Sequence, residues 1–237
     1  VTKAIKTDDE RDLFYDRMVS ERDWDDVTNP WETERRLRLL FGEVFRDVPL
    51  DGVTFLDAGS GGGHFSEQAH RRGALVTSMD VGETVLEQVR KRCETTRVVG
   101  SILDMPFADG SFDVVFSTEV IEHTPEPLRA LREIARVVRP GGRVVVTSPG
   151  RLWQPVVRGA TVLKLRPYCG RENFLWSSTA KRTLEDHGVT VDLYRGFNLV
   201  PLFYRPVEPL LRLTDRLGAA FPRLFVNWVI RGTKAPA

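Results

Sequence analysis

Phe55-Leu56-Asp57-Ala58-Gly59-Ser60-Gly61-Gly62-Gly63-His64-Phe65 is the stretch on which the reading of this chain turns. An apolar run, Val53 to Leu56, leads into an acid and a cluster of glycines, and Phe65, Gln68 and Ala69 then follow at helical spacing. Strand, tight turn and helix in that order predict the first unit of a doubly wound α/β fold, whose ligands sit beyond the carboxyl ends of the strands. Glycine is needed where backbone must approach a ligand with no Cβ in the way. The helix that follows offers free N–H groups and a partial positive charge to an anionic group. The glycines fall at 59, 61 and 63, which is not the G-x-G-x-x-G spacing of a dinucleotide fingerprint. An ordinary glycine-rich turn between strand and helix is the plain alternative.

Outward from this turn the pattern repeats. His64 to Arg72 reads as a helix stopped by Gly73, and Leu75 to Asp80 reads as a strand ending in an acid. Asp80 lies roughly 20 residues beyond the glycine loop, where a carboxylate can take both hydroxyls of a ribose. Its alternative task is to cap the next helix, Glu83 to Arg92. A third strand is expected over Arg97 to Ser101 and a fourth at Val114-Val115-Phe116.

Composition excludes several classes. The 237 residues are 41% hydrophobic and 28% charged, enough to bury a sizeable core, and the net charge of +1 gives no bulk field to recruit nucleic acid. Cys93 and Cys169 form neither a metal spacing nor a disulfide framework. The charged amino terminus shows no secretory signal and no apolar run reaches a membrane span, so a cytoplasmic protein is expected.

The segment from Met105 to Pro127, "MPFADGSFDVVFSTEVIEHTPEP", resembles the stretch "LPF-DGSFDVV…EVLEH-P-P" of class I S-adenosylmethionine-dependent methyltransferases of the ubiquinone/menaquinone-biosynthesis type. "LREIARVVRPGGRVVVTSP" is similar to their "L-E-R-LKPGG-L-V-T-P", and the D-x-G-x-G-x-G loop looks like their motif I. The likeness covers about Val53 to Pro149, roughly two-fifths of the chain. It implies a Rossmann-like α/β fold, a mostly parallel sheet with an antiparallel last strand and helical insertions. It implies S-adenosyl-L-methionine as cofactor, with Asp57, Gly59, Ser60, Gly61 and Gly63 around the methionine end and Asp80 and Val81 at the ribose. Ser101 and Ile102 would face the adenine, and Ser117 would be a further cofactor-binding residue. Relatives commonly have an acid where this chain has Ser101; the Ile102 N–H stays available there, and Asp104 is a substitute poorly placed in the motif.

Glu119-Val120-Ile121-Glu122-His123 follows the fourth strand. On a helix, Glu119, Glu122 and His123 would share one face. Three readings stand side by side: a structural motif, His123 as a general base for a hydroxyl proton, and a divalent-metal site. The last resembles the Glu-x-x-Glu-His motif of small-RNA 2′-O-methyltransferases and some quinone-biosynthesis enzymes. It would add Glu172 as a further ligand and favour magnesium or manganese.

Residues 1–50 are expected to be helical. Asp8-Asp9-Glu10 would open a first helix through Leu13, Phe14, Arg17 and Met18, and a second would run from about Trp31 to Arg46 behind Pro30. They read as cover for the sheet edge; the resemblance adds a lid of Phe14, Tyr15 and Trp24 over the cofactor. Beyond Pro149, insertions at 150–176 and 197–222 carry apolar residues among arginines, a helix spans Ser177 to His187, and strands span Val189 to Tyr194 and Leu224 to Ile230. The insertions suit either a private core or a hydrophobic acceptor pocket and peripheral membrane contact. One domain over 1–237 is expected, with the cap to 50, the cofactor core over 51–149 and the acceptor side over 150–237. The predicted activity is O-methylation of a small hydroxyl acceptor; N- or C-methylation, or a non-catalytic cofactor-binding protein of the same fold, are the alternatives.

Overall fold

The structure is a computed structural model and describes residues 14–163, 172–200 and 205–236. The expected helix start at 8–10 and Cys169 lie outside the described residues. Seven strands make one sheet: β1 (Thr54–Ala58), β2 (Leu75–Asp80), β3 (Thr96–Val99), β4 (Phe112–Thr118), β5 (Val138–Pro149), β6 (Val189–Phe197) and β7 (Asn227–Lys234). Their order is β3-β2-β1-β4-β5-β7-β6. β1 to β5 pair in parallel, and β7 runs antiparallel between β5 and β6. The order reverses between β1 and β4, so a crevice opens beyond their carboxyl ends. Phe116 of β4 lies beside Asp57 of β1, which sets the segment after β4 next to the glycine turn.

Alternation along the strands divides the core between the faces of the sheet. Leu56, Ala58, Val115, Val144 and Val146 point to one face and pack with Ile134 of α6 (Pro127–Val137) and Leu184 of α8 (Ser177–Asp186). Phe55, Val114, Phe116 and Val145 point to the other, against Phe41 and Phe45 and against Phe65 of α4 (His64–His70). Phe116 lies 5.4 to 6.5 Å, centroid to centroid, from the rings of Phe41, Phe45, Phe55 and Phe65. Strands covered on both sides read as near-continuous apolar runs, as these do.

The amino-terminal part forms α1 (Phe14–Val19), α2 (Trp24–Val27) and α3 (Pro30–Leu39). Asn29 accepts from the Glu32 N–H and Pro30 opens α3, a capped start. The expected helix to Arg46 is shorter as an α-helix, because it widens into a π-helical turn over Leu40–Val44 that buries Leu40, Phe41 and Val44. α5 (Glu83–Arg92) has the expected ends. The expected third strand stops at Val99, and Ser101 sits outside it in a bridge with Asp104. Within the insertions lie α7 (Gln154–Val162) and α9 (Glu208–Asp215). The last strand starts at Asn227 rather than 224, because Pro222–Leu224 forms a tight helical turn, and continues to Lys234. Among the described residues no helix is long and apolar enough to cross a membrane.

Candidate active site

The turn after β1 is left-handed at Gly59 (φ 84°), Gly61 (φ 49°) and Gly63 (φ 82°). A Cβ at Gly59 would overlap the Val120 side chain, so the turn and the segment after β4 touch only because position 59 has none. Asp57, fully buried, accepts from the Ser66 hydroxyl at 2.6 Å, and Ser66 meets Ser78 at 2.8 Å. Burial raises the Asp57 carboxyl to about 7, opposed by the Ser66 hydrogen bond and reinforced by the Asp80 charge. Its Oδ1, with the Ser60 and Ser117 hydroxyl oxygens, is buried without a hydrogen-bond partner among the described residues.

Asp80, at the end of β2, accepts from the Gly61 and Gly82 N–H groups, each at 3.1 Å. Burial raises its pKa, the Gly82, Gly61 and Val81 amides oppose that shift, and Asp16 adds to it. Asp16, on α1, accepts from the Val85 N–H at 3.1 Å and so caps α5 from outside. Asp80 and Asp16 thus both accept N–H groups at the start of α5, and Asp16 is a residue that sequence spacing gives no means of finding. Ser101 Oγ accepts from the Leu103 N–H at 3.2 Å, and the Ile102 side chain is in the core, which leaves its backbone for a ligand.

The segment after β4 departs from expectation. Glu119 has φ 55°, and only Ile121–His123 is helical, as a single tight turn. Glu119, Glu122 and His123 therefore do not share an α-helical face. The left-handed residue turns Glu119 toward the β5–β7 side, where Oε1 accepts from Thr147 at 2.8 Å and Oε2 from Asn227 at 2.7 Å. Glu122 Oε2 accepts from Ser148 at 2.9 Å, and Oε1 lies 3.9 Å from His123 Nε2. The His123 side chain keeps 27% of its surface exposed, against 2% for Glu122.

Burial raises Glu119 to about 8, with Arg36 opposing and Glu122 reinforcing. Burial likewise raises Glu122 to about 7, opposed by its hydrogen bonds and Arg36 and reinforced by Glu172. Arg36, on α3, is ion-paired with Glu32. Burial works against its charge, but Glu32, Glu119 and Glu122 outweigh burial and hold its pKa above the usual value. The Asn173 N–H donates to the Glu122 carbonyl at 2.7 Å, fastening the segment after 171 to this turn. The expected set Glu119, Glu122, His123 and Glu172 is not brought together in this structure as a group that could hold a metal ion. Among the described residues no group of three or more His, Cys, Asp or Glu side chains is placed to hold an ion. The sequence reading missed Arg36, Thr147, Ser148 and Asn227.

Trp24 lies across the glycine turn. A Cβ at Gly61 would stand 2.6 Å from its Cζ2, and one at Gly62 would overlap the ring. Tyr15 packs tilted against Trp24 at 5.3 Å and meets the His123 ring edge-on at 6.1 Å. Asp25 pairs with His64 at 3.0 Å and Arg92 at 2.6 Å, and Arg92 Nε donates to the Gly62 carbonyl at 2.7 Å. Tyr15 and Trp24 thus stand where a lid was expected; the Phe14 side chain lies outside the described residues.

The crevice fits S-adenosyl-L-methionine. The buried polar atoms left over at Asp57, Ser60 and Ser117 cluster at the ends of β1 and β4, and a carboxylate closes β2. The family described as a methyltransferase domain matches residues 56–146. The ubiquinone biosynthesis O-methyltransferase of Vibrio campbellii is 32% identical over 99% of this chain and 100% of its own length. That of Paramagnetospirillum magneticum is also 32% identical, over 78% of this chain and 74% of its own. The crystal structure of magnesium protoporphyrin IX methyltransferase from Synechocystis with bound SAH superposes with a TM-score of 0.67 at 16% identity, covering 95% of this chain and 97% of that one; it shows the shared fold. The chain belongs to the class I S-adenosylmethionine-dependent methyltransferases of the ubiquinone-biosynthesis type and is an S-adenosylmethionine-dependent methyltransferase.

Proposed function

We propose that the chain, working as one domain, methylates a hydroxyl oxygen of a small, quinone-like or lipid-linked acceptor, with His123 as the base. The observation that carries this reading is the placement of His123. It is partly exposed, it follows β4, and it stands beside Glu122, which Ser148 fixes from below. When bound, S-adenosyl-L-methionine supplies an electrophilic methyl group on a sulfonium. Gly59, Ser60, Gly61 and Gly63 would hold its methionine end, and Asp80 and Val81 its ribose. Ser101 and Ile102 would face its adenine, with Asp57 and Ser117 beneath. The imidazole of His123 takes the acceptor's hydroxyl proton, and the ionised Glu122 steadies the imidazolium that results. Tyr15 and Trp24 exclude water, and alignment supplies much of the rate. Because Glu122 ionises near 7, turnover is expected to rise with pH through that point.

The names of the two curated relatives support an oxygen acceptor of the quinone class. Exposed Leu152, Val156, Leu210, Leu213 and Phe221 beside Arg151 and Arg212 on the acceptor side support an apolar one. The test is a screen of phenolic, sugar and lipid-linked acceptors for the mass gain of one methyl, with wild type and H123A. H123A is expected to lower kcat by about 10²- to 10⁴-fold while cofactor affinity holds. Methylation at nitrogen or carbon, or an H123A enzyme with wild-type kcat, would overturn the reading.

A further inference from the structure

Among the described residues, the non-glycine positions with positive φ are Glu119 (φ 55°) and Asn198 (φ 58°). They follow β4 and β6, yet both reach one side chain, the carboxamide of Asn227 at the start of β7. Asn198 Nδ2 donates to Asn227 Oδ1 at 3.1 Å, and Asn227 Nδ2 donates to Glu119 Oε2 at 2.7 Å. The far end of the chain of bonds is Arg35 on α3, whose Nε donates to Asn198 Oδ1 at 2.8 Å. An arginine has donors only, so Asn198 must turn its oxygen to Arg35 and its nitrogen to Asn227. Asn227 must then present its own nitrogen to Glu119. Arg35, Asn198 and Asn227 are buried, where a polar group left unpaired is costly. Asp215 of α9 pairs with Arg35 and accepts from the Asn198 N–H at 2.9 Å, which holds that end in place.

Asparagine tolerates a left-handed backbone, whereas a glutamate keeps one only where its surroundings impose it. At Glu119 the side chain is gripped on both oxygens, by Thr147 on Oε1 and by Asn227 on Oε2. The next residue, Val120, borders Gly59, and its carbonyl accepts from the His123 N–H at 2.9 Å. The conformation of Glu119 therefore aims the single tight turn that carries His123. We propose that Asn198 is a positioning residue for methyl transfer: through Asn227 it holds Glu119 left-handed, and so sets where His123 stands in the crevice. Its bearing on catalysis rests on the reading of His123 as the base; its hold on the turn stands without that reading.

The experiment removes the Asn198 carboxamide without straining its backbone. N198G, in which glycine suits the left-handed position, is made in wild type and in E119G, where glycine suits Glu119's conformation and no carboxylate remains to be held. Each protein is saturated with S-adenosylhomocysteine, and its histidine rings are followed by proton–nitrogen NMR, the His123 signal being the one missing from H123A. N198G is expected to move the His123 signal and to leave those of His64, His70 and His187. It should lower kcat/KM for 1,2-dihydroxybenzene by about 2- to 12-fold and change the cofactor Kd by less than about twofold. In E119G, adding N198G should change neither the His123 signal nor kcat/KM, because residues that act as one chain are not additive. Equal effects in both backgrounds would overturn the proposal. So would an N198G enzyme that melts lower yet keeps the His123 signal, or one whose signal moves while kcat/KM holds. If E119G does not fold, N227A serves as the second background, with the same outcomes expected. If wild type leaves the probe unmethylated, or H123A turns it over as wild type does, the base reading fails, and the NMR comparison alone decides whether Asn198 fixes the turn.

Discussion

On the cofactor side of the crevice, the turn after β1 is held by its own backbone and by the neighbouring strand. The Gly59 and Ser60 N–H groups donate to the Met79 carbonyl at 2.8 and 3.0 Å, and the Gly63 N–H donates to the Ser60 carbonyl at 3.0 Å. On the acceptor side, Glu119 depends on side chains from elsewhere in the chain, Thr147 at 28 residues' remove and Asn227 at 108. A backbone turn tolerates almost any exchange of the side chains around it, so long as its glycines stay. A carboxylate fastened by distant partners can be re-aimed by one substitution. The cofactor side is thus built to stay the same, and the acceptor side to be changed.

The sharpest way to break this contrast is Asp80→Ala. A hydrogen bond to a charged group is worth about 1.5–3 kcal/mol, so cofactor binding followed by titration calorimetry should weaken by roughly tenfold to a hundredfold. The acceptor KM should hold, and an equal rise in both would show that the two sides are not separate. Asn227→Ala is the mirror experiment. It removes one partner of Glu119, and a loss of about 0.5–1.5 kcal/mol should raise the acceptor KM by about 2- to 12-fold with cofactor affinity intact. A variant that weakens cofactor binding instead would place Glu119 on the wrong side of the comparison.

The smallest effect concerns Asp57. Its carboxyl titrates near 7 in the fold, above the ordinary value near 3.9 of an unfolded chain, so the folded state holds the extra proton between those limits. Wild-type stability from this group therefore falls as pH rises from about 4 to about 7. Asp57→Asn keeps an oxygen for Ser66 and cannot ionise. The difference in Tm, mutant minus wild type, should grow across that window and level off above it. A difference that narrows with rising pH would mean that Asp57 is ionised throughout.

The same contrast explains what could be read in advance. β2 and α5 were legible end to end because Leu75 to Asp80 and Glu83 to Arg92 carry their own periodicity and punctuation. The place of Asp80 at the end of β2 followed from the strand pattern. Glu119 misled, since Glu-Val-Ile-Glu-His has a helical pattern and nothing in it announces a left-handed residue at its head. Arg36 was hidden in Glu32-Thr33-Glu34-Arg35-Arg36, which reads as a solvated face. Arg35 is drawn in by Asp215 and Asn198, pairings at separations that leave no local trace, whereas Arg36 pairs with Glu32 one turn away and also feels the charges of Glu119 and Glu122. Asn227 read as one more residue of a strand.

The fastening of Trp24 has a consequence for the rhythm of turnover. Asp25, whose side chain is 46% exposed, is the clasp between α2 and both His64 and Arg92. Burial lowers the His64 pKa, so the charged half of the clasp is Asp25–Arg92, and an ion pair that close to water is worth little and loses strength as counterions crowd in. In the proposed reading, with Trp24 over the bound cofactor, departure of spent cofactor would require the indole to leave Gly61 and Gly62, and so would require that clasp to part. The residence time of bound cofactor would then depend on ionic strength, shortening as salt is added.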